Sequence, residues 1–271
     1  MKIFLTITVI FALALAACSE TNSPGDTDSN LRILLTDAPL PIEFVERADV
    51  TFSKIEIKKE NENEPDQFIL VEDNLKTINL LDLRNGATAV KAEADAPATS
   101  YKMIRLTVES AMIELKDDRT FDLDVPPNWI EITVEPPFIV DNNSSTELLL
   151  DFDVSNSFEV EGDPSRIDDV TGFKFDPQIR PINMTNSGII EGIVTYSADS
   201  SPVYNAKIWL EGQTQSEINT YTNEQGEYRI IGVPAGTFDI YCKKDGYDLS
   251  TETDISIESG ETITINFSIV K

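Results

Sequence analysis

Asp151 and Asp153 are the residues of this sequence best placed to do chemistry, because they lie two positions apart in an apolar run. Side chains two apart on a β-strand leave the same face, so the two carboxylates would project together. Such a pair could hold a calcium ion or perform the acid–base work of a glycosidase. It is equally typical of a solvated sheet face, the interpretation that we favour. The pair is therefore a weak candidate for a metal site.

Aromatic side chains offer a second kind of chemistry. Trp209 stands between Ile208 and Leu210, so it faces outward if those two residues face the core. Exposed rings bind sugars because the C–H faces of a sugar pack on π surfaces. Alternatively, a neighbouring domain covers this sheet and buries the ring, and the sequence leaves both outcomes open. The aromatic residues that could form such a platform, with Trp209 and Tyr221 as the candidate ligand-binding pair, are Trp129, Trp209, Tyr196, Tyr204, Tyr221 and Tyr228.

The sequence contains no histidine, which excludes several kinds of catalytic and metal site. This absence removes the commonest general base, the usual serine and cysteine triads and most zinc sites. Cys242 lies in an apparent strand and is predicted to be a small core residue, since no histidine can activate it. We therefore predict no enzyme. The alternative is a glycan hydrolase that uses Asp/Glu pairs in the N-terminal domain, because carboxylate chemistry is the kind that a histidine-free chain makes easy.

The first eighteen residues have the organisation of an export signal. A basic Lys2 is followed by an apolar run that is too short to span a bilayer comfortably and that ends in Leu15-Ala16-Ala17-Cys18. These four residues resemble the bacterial lipoprotein signal, in which signal peptidase II cuts before the cysteine and acyl chains such as palmitate are attached to it. The resemblance implies a signal peptide at residues 1–17 and a lipidated Cys18. The alternative is an ordinary secretory signal with a chance cysteine.

The expected destination is the bacterial cell envelope. Residues 18–30 are polar and contain Pro and Gly, which predicts a flexible tether. Ser19 after the cysteine resembles an outer-membrane rather than an inner-membrane signal, if the organism has two membranes. The membrane would then be contacted only through the N-terminal lipid. If Cys18 is lipidated, Cys242 has no partner for a disulfide within the chain.

The chain is strongly acidic, with 48 Asp and Glu against 21 Lys and Arg and a formal net charge of −27. Such a surface repels nucleic acid and anionic headgroups, so we exclude nucleic-acid partners. It favours cationic partners, divalent metal or neutral glycans. A plain solvated acidic surface of an exported protein explains the charge as well, and we favour that explanation. No cofactor is expected, with calcium the one ion that the acids could take.

Hydrophobic periodicity predicts an all-β chain. Apolar residues alternate strictly at Ile104, Leu106 and Val108, and the alternation resumes one position out of phase from Ala111. This shift predicts either a β-bulge or two strands joined tightly at Glu109-Ser110. The stretch from Leu80 to Ala94 is the best candidate for a short helix. Many short strands separated by turn residues favour a sandwich or barrel.

Two domains are predicted from a break in this pattern. Pro177 to Ser187 is typical of a linker, so we expect a first domain at residues 31–181, a linker at 182–187 and a second domain at 188–271. Seven short apolar runs follow from Ile189 to Ile269, which is the strand count of an immunoglobulin-like sandwich. The predicted architecture is two β-sandwich-type domains in tandem.

The second domain carries turn motifs in a fixed order. They include Pro202-Val203-Tyr204-Asn205-Ala206, Thr222-Asn223-Glu224-Gln225-Gly226, Pro234-Ala235-Gly236 and Lys244-Asp245-Gly246-Tyr247. With these motifs, residues 188–271 resemble the carboxypeptidase regulatory-like domain. The resemblance implies a seven-stranded prealbumin-like sandwich of a carbohydrate-binding-like fold and no catalysis. Glycan binding does not follow from the fold alone.

The first domain carries a weaker set of motifs. They are Leu34-Leu35-Thr36-Asp37-Ala38-Pro39, Ser53 to Ile57, Leu80-Leu81-Asp82-Leu83, Tyr101 to Val108 and Leu149 to Val154. With these motifs, residues 31–181 resemble the family of lipoprotein domains called domain of unknown function 4382. The resemblance supports an all-β lipoprotein and transfers no activity.

The function that this sequence favours is binding. We expect a non-catalytic, lipid-anchored protein of the cell envelope that binds a glycan or a surface protein. Two alternatives stay open: the carboxylate-dependent hydrolase, and a structural spacer of a surface assembly. A pocket with two carboxylates would favour the hydrolase, and a flat or aromatic face would favour the binding protein.

Overall fold

The computed structural model describes residues 30–38, 44–61, 67–74, 76–83, 85–125, 127–211 and 218–271. The predicted signal peptide, Cys18 and most of the predicted tether lie outside the described residues. Within those residues, no helix has both the length and the apolar character needed to cross a membrane.

The N-terminal domain is built almost entirely from strands. Burial alternates along many of these strands, because one side of such a segment is apolar and must be covered. The strands are β1 (Leu31–Ala38), β2 (Val45–Lys59), β3 (Ile69–Glu72), β4 (Lys76–Asn79), β5 (Ala89–Ala94), β6 (Thr99–Leu115), β7 (Thr120–Leu123), β8 (Trp129–Val140), β9 (Thr146–Asp153), β10 (Phe158–Gly162), β11 (Val170–Phe175) and β12 (Ile179–Asn183). A single-turn helix, α1 (Val154–Ser157), follows β9, and three short 3₁₀ segments occupy Leu80–Leu83, Ile167–Asp169 and Met184–Asn186.

Two sheets of this domain pack face to face. One has the strand order β12-β9-β1-β5, in which β1 and β9 are parallel and the other pairs are antiparallel. The other has the order β3-β2-β6-β7, with β4 also paired to β2 and β8 also paired to β6. Phe52 of β2 meets Phe152 of β9 edge to face, with ring centroids 6.5 Å apart, so the core lies between the two sheets. The ribbon of β10 and β11 closes one side through Phe158 and Phe175.

The predicted phase shift in β6 is a bulge. Thr51 pairs with Ser110 while Phe52 pairs with Val108, so Glu109 has no partner across the strand pair. The extra residue returns Ala111 to the buried face. The bulge alternative is therefore confirmed, and β6 is one strand from Thr99 to Leu115.

Two local predictions differ from the structure. The expected helix from Leu80 to Ala94 is wrong: only Leu80–Leu83 forms a 3₁₀ turn, and Ala89–Ala94 is β5. The leucines gave the segment a helical spacing, but pairing with β1 decides its conformation. Ile182 and Asn183, expected at the start of the linker, belong to β12, whose pairing with β9 extends across the predicted boundary.

The C-terminal domain is a second sandwich, as the sequence predicted. Its strands are β13 (Ser187–Tyr196), β14 (Lys207–Glu211), β15 (Ile218–Tyr221), β16 (Glu227–Pro234), β17 (Gly236–Lys243), β18 (Ser250–Ile257), β19 (Thr262–Thr264) and β20 (Phe267–Ile269). One sheet has the order β16-β13-β19, with β20 also paired to β13, and the other has the order β15-β14-β17-β18. The last predicted strand is interrupted at Ile265-Asn266, and both of its halves run parallel to β13.

The two domains meet through an apolar row that the alternation did not predict. Leu34, Leu149 and Ile182 are register partners across β1, β9 and β12, on the side away from the domain core, and they pack with Ile231 of β16. Gly232 follows Ile231 with φ of +71°, and a Cβ there would lie 2.7 Å from Cδ1 of Ile182. Glycine therefore permits both the backbone turn and the close approach of the domains.

Candidate functional site

The two aspartates with the most promising spacing have other roles in the structure. Asp151 Oδ2 accepts a hydrogen bond from Arg180 Nη2 at 2.7 Å, in an ion pair whose side chains are mostly buried. Asp153 begins α1 and accepts hydrogen bonds from the backbone N–H of Asn156 at 3.1 Å and from the hydroxyl of Ser155 at 2.7 Å. One carboxylate thus neutralises a cation and the other caps a helix.

These contacts do not favour a metal or hydrolase site at the pair. A calcium ion would have to compete with Arg180 and with the cap of α1 for the same carboxylate oxygens. Across the parts of the chain that the structure describes, no three acidic or thiol side chains are grouped as metal ligands. The structure thus gives Asp151 and Asp153 structural partners.

Cys242 is a core residue, which confirms the sequence prediction. The thiol is fully buried and has no disulfide. Burial raises its pKa to about 12, so the thiol is protonated at neutral pH. A protonated thiol without access to solvent does not act as a nucleophile.

The outward face of the second C-terminal sheet carries a stacked aromatic pair. Ile208, Leu210, Ile240 and Cys242 are buried, so the alternating residues of β14 and β17 point away from the core. Trp209 and Tyr241 are register partners on these strands. Their rings are stacked, with centroids 5.2 Å apart and an interplanar angle of 13°. We call this pair the aromatic platform.

Tyr221 lies beside the aromatic platform, on the edge strand β15. It pairs with Lys207, and Lys207 Nζ lies 5.7 Å from the centroid of the Trp209 ring. Thr220, next to Tyr221, is buried, so Tyr221 shares the outward face with Trp209. The register thus brings the two candidate residues, Trp209 and Tyr221, to one face, and their role in ligand binding stays a prediction.

Polar groups border the platform. Trp209 Nε1 donates a hydrogen bond to Glu211 at 3.3 Å, and Asp239 lies on β17 two residues before Tyr241. Burial raises the pKa of the Tyr241 phenol, and the carboxylates of Glu211 and Asp239 raise it further. The phenol therefore stays protonated at neutral pH and can donate a hydrogen bond. The site combines two stacked aromatic rings with carboxylate acceptors and with hydroxyl and ammonium donors.

The main contact of the N-terminal domain with the second sandwich is on the sheet that does not carry the platform. That contact is made by Ile231 and Gly232 of β16, which belongs to that sheet. Trp209 is half-buried and stacks on Tyr241 of the same sheet. The main contact between the domains therefore lies on the other sheet, while the edge strand β15 of this sheet meets the first domain through the hydrogen bond of Thr220 to Asn85.

The other predicted aromatic residues do not join the platform. Tyr228 is buried and donates its hydroxyl hydrogen bond to the backbone oxygen of Ile265 at 2.8 Å, so its expected role at a surface is wrong. The ring of Tyr196, at the end of β13, packs against that of Tyr247 at a tilt of 43°. Tyr204 is 58% exposed in a loop, and Trp129 is 47% exposed on the N-terminal domain.

Tyr241 is the residue that sequence reasoning missed. Its signal was present, because Phe238, Ile240 and Cys242 are alternate apolar residues and Tyr241 must face the opposite side. The pairing of β17 with β14, which places Tyr241 opposite Trp209, could not be derived from the alternation of either strand alone.

Family models match both halves of the chain. Residues 28–167 match the domain of unknown function (DUF4382). Residues 189–270 match the carboxypeptidase regulatory-like domain. The order of the two matches is the one that the sequence motifs predicted. No match was found among the curated proteins.

Solved structures resemble this chain only in part. A protein from Bacteroides uniformis, provisionally described as carbohydrate binding, is 18% identical, with 30% of this chain and 40% of that chain covered and a TM-score of 0.27. A cohesin–X-dockerin complex from Acetivibrio cellulolyticus is 16% identical over 30% of this chain and 56% of that chain, with a TM-score of 0.24. The major pilin subunit BcpA of Bacillus cereus is 12% identical over 89% of this chain and 69% of that chain, with a TM-score of 0.27. The chain thus spans less than two thirds of the length of the first two structures.

Proposed function

We propose that this chain, which belongs to the family described as domain of unknown function (DUF4382) and ends in a carboxypeptidase regulatory-like domain, is a non-catalytic binding module of the bacterial cell envelope. Its ligand at the aromatic platform is a neutral glycan. The protein is held at the membrane by lipid on Cys18, with the outer membrane as its destination where the organism has two membranes.

The stacked pair of Trp209 and Tyr241 is the observation that carries this proposal. A sugar ring can lie with its C–H face on the indole while its hydroxyl groups reach the carboxylate of Glu211 and the phenol of Tyr241. Two stacked rings on the outward face of a sheet, with polar groups around them, suit a polymer that runs along a surface better than a substrate that must be enclosed. The net charge of −27 selects against acidic polymers at the same time.

The binding test uses the full chain without its leader on a glycan array of neutral and charged oligosaccharides. We expect Trp209→Ala to weaken binding by roughly tenfold or more, because rings at the centre of a contact carry much of its free energy. Trp129→Ala is the matched control, since Trp129 is the other tryptophan and lies exposed on the first domain. Loss of binding in Trp129→Ala with retention in Trp209→Ala, or no neutral glycan bound at all, would contradict the proposal.

Lipid anchoring has a separate test. Cells that express Cys18→Ser should release the protein from the membrane fraction, because the proposal gives the chain no other membrane contact. Ser19→Ala keeps the cysteine and should stay in the membrane pellet. Retention of Cys18→Ser in the pellet would show that the anchor is elsewhere.

One observation favours a spacer as a second function. Leu34, Leu149 and Ile182 of the first domain pack with Ile231 of the second, so the domains share an apolar contact besides their covalent connection. Such a contact holds two domains in a fixed arrangement and would present the platform at a set distance from the tether. Small-angle scattering tests this directly: a radius of gyration that does not change when Ile231→Asp opens the contact would exclude the spacer role.

A further inference from the structure

A cleft of about 470 Å³ lies between the two domains, on the sheet of the C-terminal sandwich opposite the aromatic platform. Asn85 is the lining residue that the N-terminal domain contributes, and the remaining lining comes from β13, from β16 with Asn223 before it, and from Thr264 and Asn266. Its volume falls within the range of small-molecule binding sites. Neither the family models nor the platform accounts for it.

The loop that carries Asn85 is fixed against the second domain. Thr220 Oγ1 donates to Asn85 Oδ1 at 3.1 Å, and a Cβ on Gly86 would lie 3.0 Å from Cδ of Arg229. Gly86 has φ of +71°, so glycine permits the turn that brings the loop this close. The cleft is therefore formed by contacts of both domains.

Asparagine amides in the cleft are oriented by the protein. The Oδ1 atom of Asn85 is used by Thr220, and that of Asn266 accepts the backbone N–H of Ile193 at 2.9 Å. Because the oxygens are fixed in this way, the Nδ2 groups of the two side chains are left as donors. In the described part of the chain, neither Nδ2 group has an acceptor in the structure. Two oriented donors therefore line the cleft without a partner.

Carboxylate acceptors stand beside these donors. Glu191 forms an ion pair with Arg229 across β13 and β16, and Glu227 Oε2 accepts from Asn223 Nδ2 at 3.1 Å. The three charged side chains that line the cleft are two acids and one base, so the cleft is close to neutral and slightly acidic. A site of this charge in an acidic protein disfavours anionic ligands.

The hydroxyl group is the ligand group that fits such a lining, since it both donates and accepts a hydrogen bond. Adjacent hydroxyls of a sugar can accept from an asparagine amide and donate to a carboxylate in the same orientation. Ile193, 44% exposed at the cleft, offers an apolar surface for the C–H side of the ring. From these contacts we infer that the interdomain cleft binds a neutral mono- or disaccharide, as a site separate from the aromatic platform.

The test is saturation-transfer-difference NMR on the full chain without its leader, in the Trp209→Ala background so that the platform does not contribute. The probes are glucose, galactose, mannose, N-acetylglucosamine, maltose and cellobiose, with glucuronate and glucosamine as charged comparators. We expect at least one neutral probe to bind. Asn85→Asp/Asn266→Asp should weaken it by about fivefold or more, because each change keeps the oriented Oδ1 and removes one donor.

Two further variants make the outcome decisive. Asn219→Asp, on the opposite sheet, is the matched control and should leave binding unchanged. Thr264→Val removes a hydroxyl that lines the cleft without changing the side-chain shape, and should weaken binding even if the double variant fails to fold. The inference is overturned if no neutral probe binds, if only the charged probes bind, or if binding is unchanged in both cleft variants. Because Trp209 is absent throughout, failure here leaves the proposal for the platform standing.

Discussion

At the scale of single residues, the environment decides which of the reactive groups can react. Asp151 and Asp153 have the spacing of a catalytic or metal-binding pair, yet one is held by Arg180 and the other caps a helix. Cys242 is the one thiol of the described residues, and it is enclosed by the core. The alternation around Tyr241 shows only that it faces outward, and Tyr241 acquires a role from the tryptophan that stacks on it.

The reactivity and pH dependence of Cys242 test this account of the core. In a Cys18→Ser chain, we expect the thiol to resist a disulfide reagent such as DTNB at pH 8 and to react at once in urea, since burial raises its pKa from 9.0 to about 12. Between these two values the unfolded chain loses the thiol proton and the folded chain keeps it, so stability falls as pH rises through this window.

Cys242→Ala is the control for that slope. The variant should lose the part of the fall in unfolding free energy above pH 9 that comes from the thiol. The part that comes from other groups should remain. A native thiol that reacts as fast as the unfolded one would show that the C-terminal core is open.

At the scale of elements, alternation predicts which side of a strand is buried but not which strand lies beside it. It predicted the strands of the second sandwich apart from the division of the last one, and it offered the bulge in β6 as one of two alternatives. It turned Trp209 outward on the condition that Ile208 and Leu210 face the core, which they do. It missed β12 and the division of the last strand at Asn266, because pairing with β9 and β13 decides these and is not encoded in local periodicity. The same reason explains why Tyr241 was missed.

Strand β9 shows the same limit of alternation as a predictor, because both of its sides are buried. Leu148 and Leu150 face the domain core, while Leu149 faces the other domain, and all three are fully buried. A strand with both sides covered does not alternate in polarity, so its outer contact is not visible from pattern alone.

Leu149→Ala measures that outer contact. We expect it to destabilise the full chain by about 2–5 kcal/mol, as for other buried leucines, in urea unfolding followed by circular dichroism. Leu70→Ala is the matched control, because Leu70 is 51% exposed on β3, and it should cost less than about 0.5 kcal/mol. Equal effects of the two substitutions would mean that the row of Leu34, Leu149 and Ile182 does not pack as described.

At the scale of the whole molecule, the two sheets of the second sandwich have different roles. The sheet that contains β16 contacts the first domain and borders the interdomain cleft, and the sheet that contains β14 carries the aromatic platform. Gly232 allows the close docking, since a side chain there would overlap Ile182. The edge strand β15 of the platform's sheet also meets the first domain, because Thr220 donates a hydrogen bond to Asn85.

Comparison of two glycines tests the docking. Both Gly232 and Gly246 have positive φ, but a Cβ on Gly246 would have nothing within 4 Å. Gly246→Ala therefore reports the backbone cost alone, and Gly232→Ala should cost about 1–3 kcal/mol more because of overlap with Ile182. In an Ile182→Ala background, calorimetry should show equal decreases in melting temperature for Gly232→Ala and Gly246→Ala, because the side chain that Gly232→Ala overlaps is gone. An excess that persists would place the strain elsewhere.

The central claim is that a neutral glycan lies on Trp209, and the chain permits a direct measurement because it has only two tryptophans. In Trp129→Phe, all indole fluorescence comes from Trp209. The titrant is the neutral oligosaccharide that binds most strongly on the array. It should change the Trp209 emission saturably, with the same half-saturating concentration as its binding to the unaltered chain. Tyr241→Ala should raise that half-saturating concentration by about tenfold. Binding that leaves the Trp209 emission unchanged at saturation would contradict the account.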